Sequence, residues 1–280
     1  MKSPKLWETV WEGQVPNKLS LEIVGKGGDV HLIIRTLRST SNLVKSAVYS
    51  QFPDVELFEV EDYSKKYKPE DIESTHDLWG ADFILSRDDV YPLRTYPDFS
   101  QQEAPGVEID PLAQITEGLS TLRTGEEIWI QIPIVPVPAK SFTAKAEKEI
   151  QSILSKQNAE DENGYPAVQR LTPGELEQIR GVQHKMSKAV FLSLLRFVYI
   201  AEKDKFNKAQ MGSVLGGFDQ FGDNTLNSFK KDGSTVTSID LWRRQTLVRR
   251  YRKRFMLEQY QSRSITNHAF HLNAEELTTL

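Results

Sequence analysis

The chain contains no cysteine. That absence removes disulfides, thiolate zinc sites and cysteine nucleophiles together, and it fits a reducing compartment. Histidine is scarce too, with five in 280 residues. His31, His76 and His184 are scattered. His268 and His271 lie three apart with Glu275 nearby, but a metal needs three or four converging ligands and no third histidine is close. No run of 18 apolar residues occurs, so no segment reads as a membrane span. The start, MKSPKLWETVWEG, has neither the apolar core nor the cleavage site of a secretory signal. Its Leu6, Trp7, Val10 and Trp11 share one face of a helix, suited to docking on the domain or on a membrane surface. The missing Lys/Arg-rich polar face favours the domain.

Nucleotide and hydrolase signatures are also missing. Gly212-Ser213-Val214-Leu215-Gly216-Gly217 is glycine-rich, but Phe218-Asp219 follows where a P-loop needs Lys-Ser/Thr, so it reads as a helix terminus. Gly25 to His31, GKGGDVH, lacks dinucleotide-binding spacing and reads as a turn. There is no G-x-S-x-G elbow. Adjacent acids such as Asp88-Asp89 and Glu126-Glu127 would point to opposite faces of a strand and do not converge on a substrate. No catalytic residue, cofactor or metal ligand is assigned.

What is present is enough apolar residue, 39% of the chain, to bury a core. The clearest pattern runs from Asp110 to Val137. Asp110 and Pro111 open a helix with Leu112, Ile115, Leu119 and Leu122 along one face, and Gly125 stops it. Ile128, Ile130, Ile132 and Ile134 then alternate with Trp129, Gln131 and Val135, predicting a half-buried strand. Pro133, Pro136 and Pro138 predict that it ends at a sheet edge or bulge, a rim for a neighbouring subunit.

Before this element, Leu19 to Val24 and Val30 to Thr36 read as a hairpin. Asn42 to Phe52 follows as a helix with Leu43, Ala47 and Val48 inward. Val55 to Val60 and Leu78 to Leu85 complete the strands of the first half. After it come a polar helix from Thr143 to Gln157 and a polar break, NAEDENGYPAVQ. Next are a helix opened by a capping box at Thr172 and Glu175, a strand from Val190 to Ala201, and a helix from Phe206 to Phe218. Asn273 caps a final helix only begun at Leu280, which gives the expectation of a longer protein.

The net charge of −4 hides a strong local asymmetry. Between residues 239 and 263 lie eight Lys/Arg against two carboxylates. Ser238 would cap a long helix, with Leu241, Val248, Tyr251 and Phe255 on one side and Arg243, Arg250 and Arg254 on the other. Arg243, Arg244, Arg249, Arg250, Arg252, Lys253 and Arg254 are the candidate binding residues. They would track nucleic-acid phosphates, pair with the acidic remainder of the chain, or dock an acidic partner or lipid headgroups.

The serial order of LSLEIVGKGGDVHLIIRT, AVYSQFPDVELFEVEDY, DLWGADFILSRDDVYPLRTYPDF, DPLAQITEGLSTLRTGEEIWIQI and LNAEELTTL resembles the N-terminal, non-catalytic region of bacterial conjugative or type IV secretion ATPases. These are DNA translocases of the HerA/FtsK-like coupling kind, and this leading region is a domain of unknown function. The resemblance spans residues 19 to 280 and transfers no ATPase residue, because the chain has no P-loop lysine. It implies a cytoplasmic accessory and assembly region at the inner face of a membrane, with translocase subunits, DNA and further copies of the chain as candidate partners.

The fold expected is α+β, as two ferredoxin-like α/β layers with antiparallel or mixed sheets and a long basic helix near the C-terminus. Its parts would be residues 1–157, a linker at 158–171, and a second half at 172–280. Two other classes stay open: a freestanding nucleic-acid-binding module, and an enzyme with an unrecognised site. An enzyme predicts a deep pocket with converging polar groups, and an assembly region predicts exposed apolar patches.

Overall fold

In the computed structural model the described residues are 18–100, 110–155, 171–238 and 245–280. The expected N-terminal aromatic helix and nearly all of the expected linker lie outside them. Gly27 and Gly28, with φ of 56° and 98°, make the first turn. Around them β1 (Leu19–Lys26) and β2 (Asp29–Arg35) pair antiparallel, with Ile23 opposite Leu32. Six further strands follow: β3 (His76–Leu85), β4 (Glu126–Pro136), β5 (Val190–Ser193), β6 (Leu195–Glu202), β7 (Phe229–Lys231) and β8 (Phe270–Asn273).

The class is α+β, as expected, with an antiparallel open sheet. Instead of dividing into two layers, strands from both sides of residues 158–171 interleave in one eight-stranded sheet of order β2-β1-β4-β6-β3-β7, with β5 joining β4 to β8. The apolar run from Val190 to Ala201 is two strands rather than one, broken at the buried Leu194.

Strand β4 corrects two expectations. It is central, paired with β1, β6 and β5, and buried on both faces, so it offers no rim to a neighbour. Pro133 is tolerated because it lies where the neighbour changes from β6 to β5: Gln131 faces Arg196, Ile134 faces Ser193, and Leu194 between them donates to the Pro133 carbonyl at 3.3 Å. A missing N–H falls there at a break in the ladder.

The helices are α1 (Ser41–Gln51), α2 (Tyr96–Ser100), α3 (Ala113–Ser120), α4 (Ala139–Ser155), α5 (Pro173–Met186), α6 (Lys208–Gly216), α7 (Gln245–Ser262) and α8 (Ala274–Thr279). None among the described residues is long and apolar enough to cross a membrane. Asp110 Oδ1 accepts from Leu112 N at 2.8 Å, so α3 begins a turn later than its first acid suggests. The capping box at Thr172–Glu175 forms as its spacing predicts, and the expected cap at Asn273 is completed into a second box by Glu276.

On one face of the sheet Ile23, Ile128, Ile130, Ile132, Phe197 and Phe83 pack with Leu119 of α3 and Val214 of α6. On the other, Val24, Trp129, Val198 and Leu78 pack with Met256, Leu257 and Tyr260 of α7. Gly80 lets α7 approach: a Cβ there would lie 2.7 Å from Met256 Cγ. Helix α1 forms where expected but buries no residue, and Leu43 is 68% exposed. Residues 55–60 form no strand.

Leu119 is fully buried between α3 and the isoleucine face. Leu119→Ala is expected to cost about 2–5 kcal/mol, seen as a lower urea midpoint with an unchanged slope. A midpoint equal to that of the unaltered chain would contradict this packing.

Candidate interaction surface

Helix α7 is pinned by one row of polar side chains. Glu22 of β1, Gln131 of β4, Arg196 of β6 and Asp82 of β3 are successive cross-strand neighbours, all buried. Each stands two or four positions along its strand from a member of the α7-facing cluster (Val24, Trp129, Val198, Leu78) and so shares its face, which puts the row beneath that helix.

Arg196 grips Asp82 with two bonds, 2.6 and 3.1 Å, and its Nη1 donates to the Gln259 carbonyl at 2.8 Å. Gln131 Nε2 donates to Glu22 Oε1 and to the Tyr260 carbonyl, each at 3.1 Å. The final carbonyls of α7, which helix geometry leaves without partners, thus find donors on the sheet.

Arg263, just past α7, closes the other end. Its Nε and Nη2 donate to Glu22 at 3.0 and 3.2 Å, and its Nη1 and Nη2 donate to Asp62 at 2.6 and 2.9 Å. Its φ is 51°, a left-handed conformation usually given to glycine after a helix and costing roughly 1–2 kcal/mol for other residues. The two carboxylates hold it there.

Burial works against the guanidinium charge of Arg263, yet the Glu22 and Asp62 bonds outweigh it and raise its pKa above the ordinary arginine value. Burial alone would raise the Asp62 carboxyl, but Arg263 and Ser64 hold it below the usual range. Burial, Tyr260 and Glu22 push the Tyr63 hydroxyl far above its ordinary pKa, and burial does the same to Tyr260. Both stay protonated. Tyr63 donates to Glu22 Oε2 at 2.7 Å, so its 2.7 Å contact with Tyr260 has Tyr260 as donor.

The mount decides which face of α7 is inside. Lys253, Met256, Leu257 and Tyr260 turn inward, and Val248, Tyr251 and Phe255, the side that the sequence marks as apolar, are exposed. Both stripes have helical spacing, so sequence alone does not choose between them. The sheet chooses, because Gly80 makes room for Met256 while Glu73 and Asp77 receive Lys253.

The basic residues therefore separate. Arg243 and Arg244 lie outside the described residues, as do Leu241 and the expected start after Ser238, whose hydroxyl accepts from Trp79 Nε1 at 3.0 Å. Lys253 is buried, with Glu73 at 3.0 Å. Arg249 lies 3.6 Å from Glu73, and Arg252 donates to the Val236 carbonyl at 3.2 Å. Arg250 is exposed, with no partner among the described residues, and Arg254 is half-buried with its Nε unpaired.

Alongside exposed Arg249, Arg250 and Glu258, α7 shows solvent an apolar and aromatic stripe: Leu247, Val248, Tyr251 at 67% exposure and Phe255 at 44%. The two rings stack at 5.9 Å and 13°. Arg250 and Arg254 flank them in sequence.

The remaining candidates go elsewhere. His268 meets Asp232 at 3.2 Å, His271 meets Asp89 at 2.7 Å, and Glu275 meets His184 at 2.9 Å, three separate pairs. Among the described residues no three acids or histidines gather to hold a metal. Glu126 and Glu127 do face opposite ways: Tyr199 donates to Glu126 at 2.8 Å and Trp129 to Glu127 at 3.1 Å. The Tyr199 hydroxyl is pushed up to about 12, mainly by burial. An open depression of about 620 Å³ is lined by Arg123, Glu126, Asp204, Lys205 and Asn207, with Glu126 already engaged.

The row was missed in the sequence because each strand carries only one member. A lone polar residue inside LEIVG, IWIQIPI, LLRFVYI and GADFIL was the available signal. Gln131 instead reads as wet-face alternation.

The chain belongs to the family described as Domain of unknown function (DUF8128), whose model matches residues 15–280. No curated protein and no solved structure matches it.

One measurement tests the mount, and a second tests the buried and half-buried carboxylate pairs of the mount and beyond it. Arg263→Met strands Glu22 without its countercharge and is expected to cost about 3–5 kcal/mol; a loss below about 1 kcal/mol would contradict the pinning role. Asp62, Asp89 and Glu275 all have lowered carboxyl pKa values. Burial opposes the lowering, and bonds from Arg263, from His271 and Lys145, and from His184 respectively outweigh it. Such groups contribute stability above their unfolded pKa of about 4 and lose it as pH falls through the folded value. The urea midpoint should hold from about pH 7 to about pH 5 and fall below about pH 4. An unchanged midpoint at about pH 3 would count against these pairs.

Proposed function

We propose that this chain is a non-catalytic docking and assembly module of a DNA-translocating type IV secretion or conjugation ATPase, acting on the cytoplasmic side. The observation that carries the docking part is the exposed stripe Leu247, Val248, Tyr251 and Phe255, held on a helix whose opposite face is locked into the sheet. An apolar face on a rigid mount is what a partner protein needs, since little ordering cost remains to be met on binding. The translocase setting rests on the order of sequence motifs from Leu19 to Leu280. The polar side chains with the most strongly shifted pKa values, Tyr63 and Tyr260, serve the α7 mount and lie apart from the depression at Glu126 and Asn207, which favours assembly over an unrecognised active site.

A second reading, contact with DNA, is favoured by the stacked Tyr251 and Phe255 rings beside Arg250 and Arg254. Such platforms stack bases while cations meet phosphates.

The double substitution Tyr251→Ser/Phe255→Ser tests the first reading. Stability should stay within about 0.5 kcal/mol, because both rings are exposed, and co-purification with ATPase-bearing subunits at native expression should be lost. Unchanged co-purification would rule the surface out. Arg250→Glu/Arg254→Glu tests the second: DNA retention and its salt slope should both drop, and no change in either would remove DNA from the reading.

A further inference from the structure

Among the described residues, most large apolar side chains left exposed fall in two places. One is the α7 stripe. The other is the excursion from Leu37 to Glu61, which leaves β2, makes α1, and returns to the sheet at Asp62 and Tyr63.

The last part of that excursion has an unusual composition. Asp54 to Glu61, DVELFEVE, alternates Val55, Phe58 and Val60 with Asp54, Glu56, Glu59 and Glu61, and contains no Lys or Arg. Phe58 is 76% exposed and Val60 67%. Beyond Val55, which donates to the Phe52 carbonyl at 3.2 Å, residues 56–61 make no backbone hydrogen bond among the described residues. Its one ion pair among the described residues joins Glu59 to Lys45 at 2.6 Å, on the exposed helix α1.

The two places complement each other. The segment is apolar and acidic, and the α7 face is apolar and aromatic, with the exposed Arg250 and half-buried Arg254 adjoining Tyr251 and Phe255 in sequence. The spacings of the residues that would meet agree: Tyr251 to Phe255 covers about 6 Å of helix, and Phe58 to Val60 about 7 Å of extended chain.

We propose that residues 54–61 of one copy of this chain lie on the exposed α7 face of a second copy, Phe58 and Val60 meeting Tyr251 and Phe255 while the glutamates meet Arg250 and Arg254. This rests on the reading of that face as a protein-docking surface, and it names the partner. Within one chain the segment is not docked: residues 54–61 are exposed but for the half-buried Leu57, and among the described residues no hydrogen bond or ion pair joins them to α7. Exchange between two copies is reciprocal, so each covers the other's arm and each covers the other's helix. The charges set the register and speed the encounter, and the rings supply the contact area.

The absence of cysteine makes the test clean. In the full 280-residue chain, Phe58→Cys and Tyr251→Cys proteins are mixed and oxidised. A disulfide-linked dimer is expected from the mixture. The chain carrying both substitutions should give linked dimers rather than an internally linked monomer, and an internally linked monomer would overturn the proposal. Sedimentation against concentration gives an independent reading. Glu56→Arg/Glu59→Arg and Arg250→Glu/Arg254→Glu should each weaken self-association by roughly tenfold or more, and mixing the two should restore a heterodimer. A chain that stays monomeric at every concentration overturns the second-copy inference. If Tyr251→Ser/Phe255→Ser still abolishes capture of other subunits in that case, the docking face stands with a different partner. If it abolishes nothing, both fail.

Discussion

The interaction on which the rest depends is the buried row Glu22, Gln131, Arg196 and Asp82, closed by Arg263. Burying so many charged and polar groups is unfavourable unless each is bonded, and nearly all are. The row binds four adjacent strands and takes up the terminal carbonyls of α7 in the same stroke. It adds direction to a seat that apolar packing alone would leave free to rotate. With Lys253 drawn to Glu73 and Asp77, helix α7 has a single orientation on the sheet.

That orientation has a functional consequence. A helix rotated by half a turn would have buried Tyr251 and Phe255 and exposed Met256 and Tyr260. Turned as it is, the protein keeps an aromatic stripe in water beside arginines, and an acidic, apolar segment likewise exposed some distance away. Both features oppose stability in an isolated chain, where exposed apolar surface gains nothing. Their coexistence is best understood if the surfaces are used, which ties the assembly reading to the physics of the mount.

Much of the local structure was legible. The hairpin around Gly27 and Gly28, the caps at Thr172 and Asn273, and the isoleucine alternation of β4 all rest on interactions between residues close in sequence. The site was less so. Seven basic residues on one stretch look like one feature, yet the five of them among the described residues divide among ion pairs with Glu73, a backbone contact and solvent. Pro133 signals a strand edge to any local rule, and it is central only because a neighbouring strand breaks at Leu194. Glu22, Gln131, Arg196 and Asp82 span more than 170 positions of sequence, and nothing local marks them as one group.

By itself the sequence determined most of the periods: the hairpin, the helix and strand of Ala113 to Pro136 and several caps and turns, though not the missing strand at 55–60 or the break at Leu194, and that cysteine chemistry and a phosphate-binding loop have no residues to carry them. Those properties follow from backbone sterics and neighbours within about four positions. The tertiary structure alone decided that the halves share one sheet, which strand lies at its centre, and which of two apolar stripes on α7 turns inward. Each of those choices depends on register between distant strands, where a cross-strand partner for one polar side chain outweighs the pattern around it.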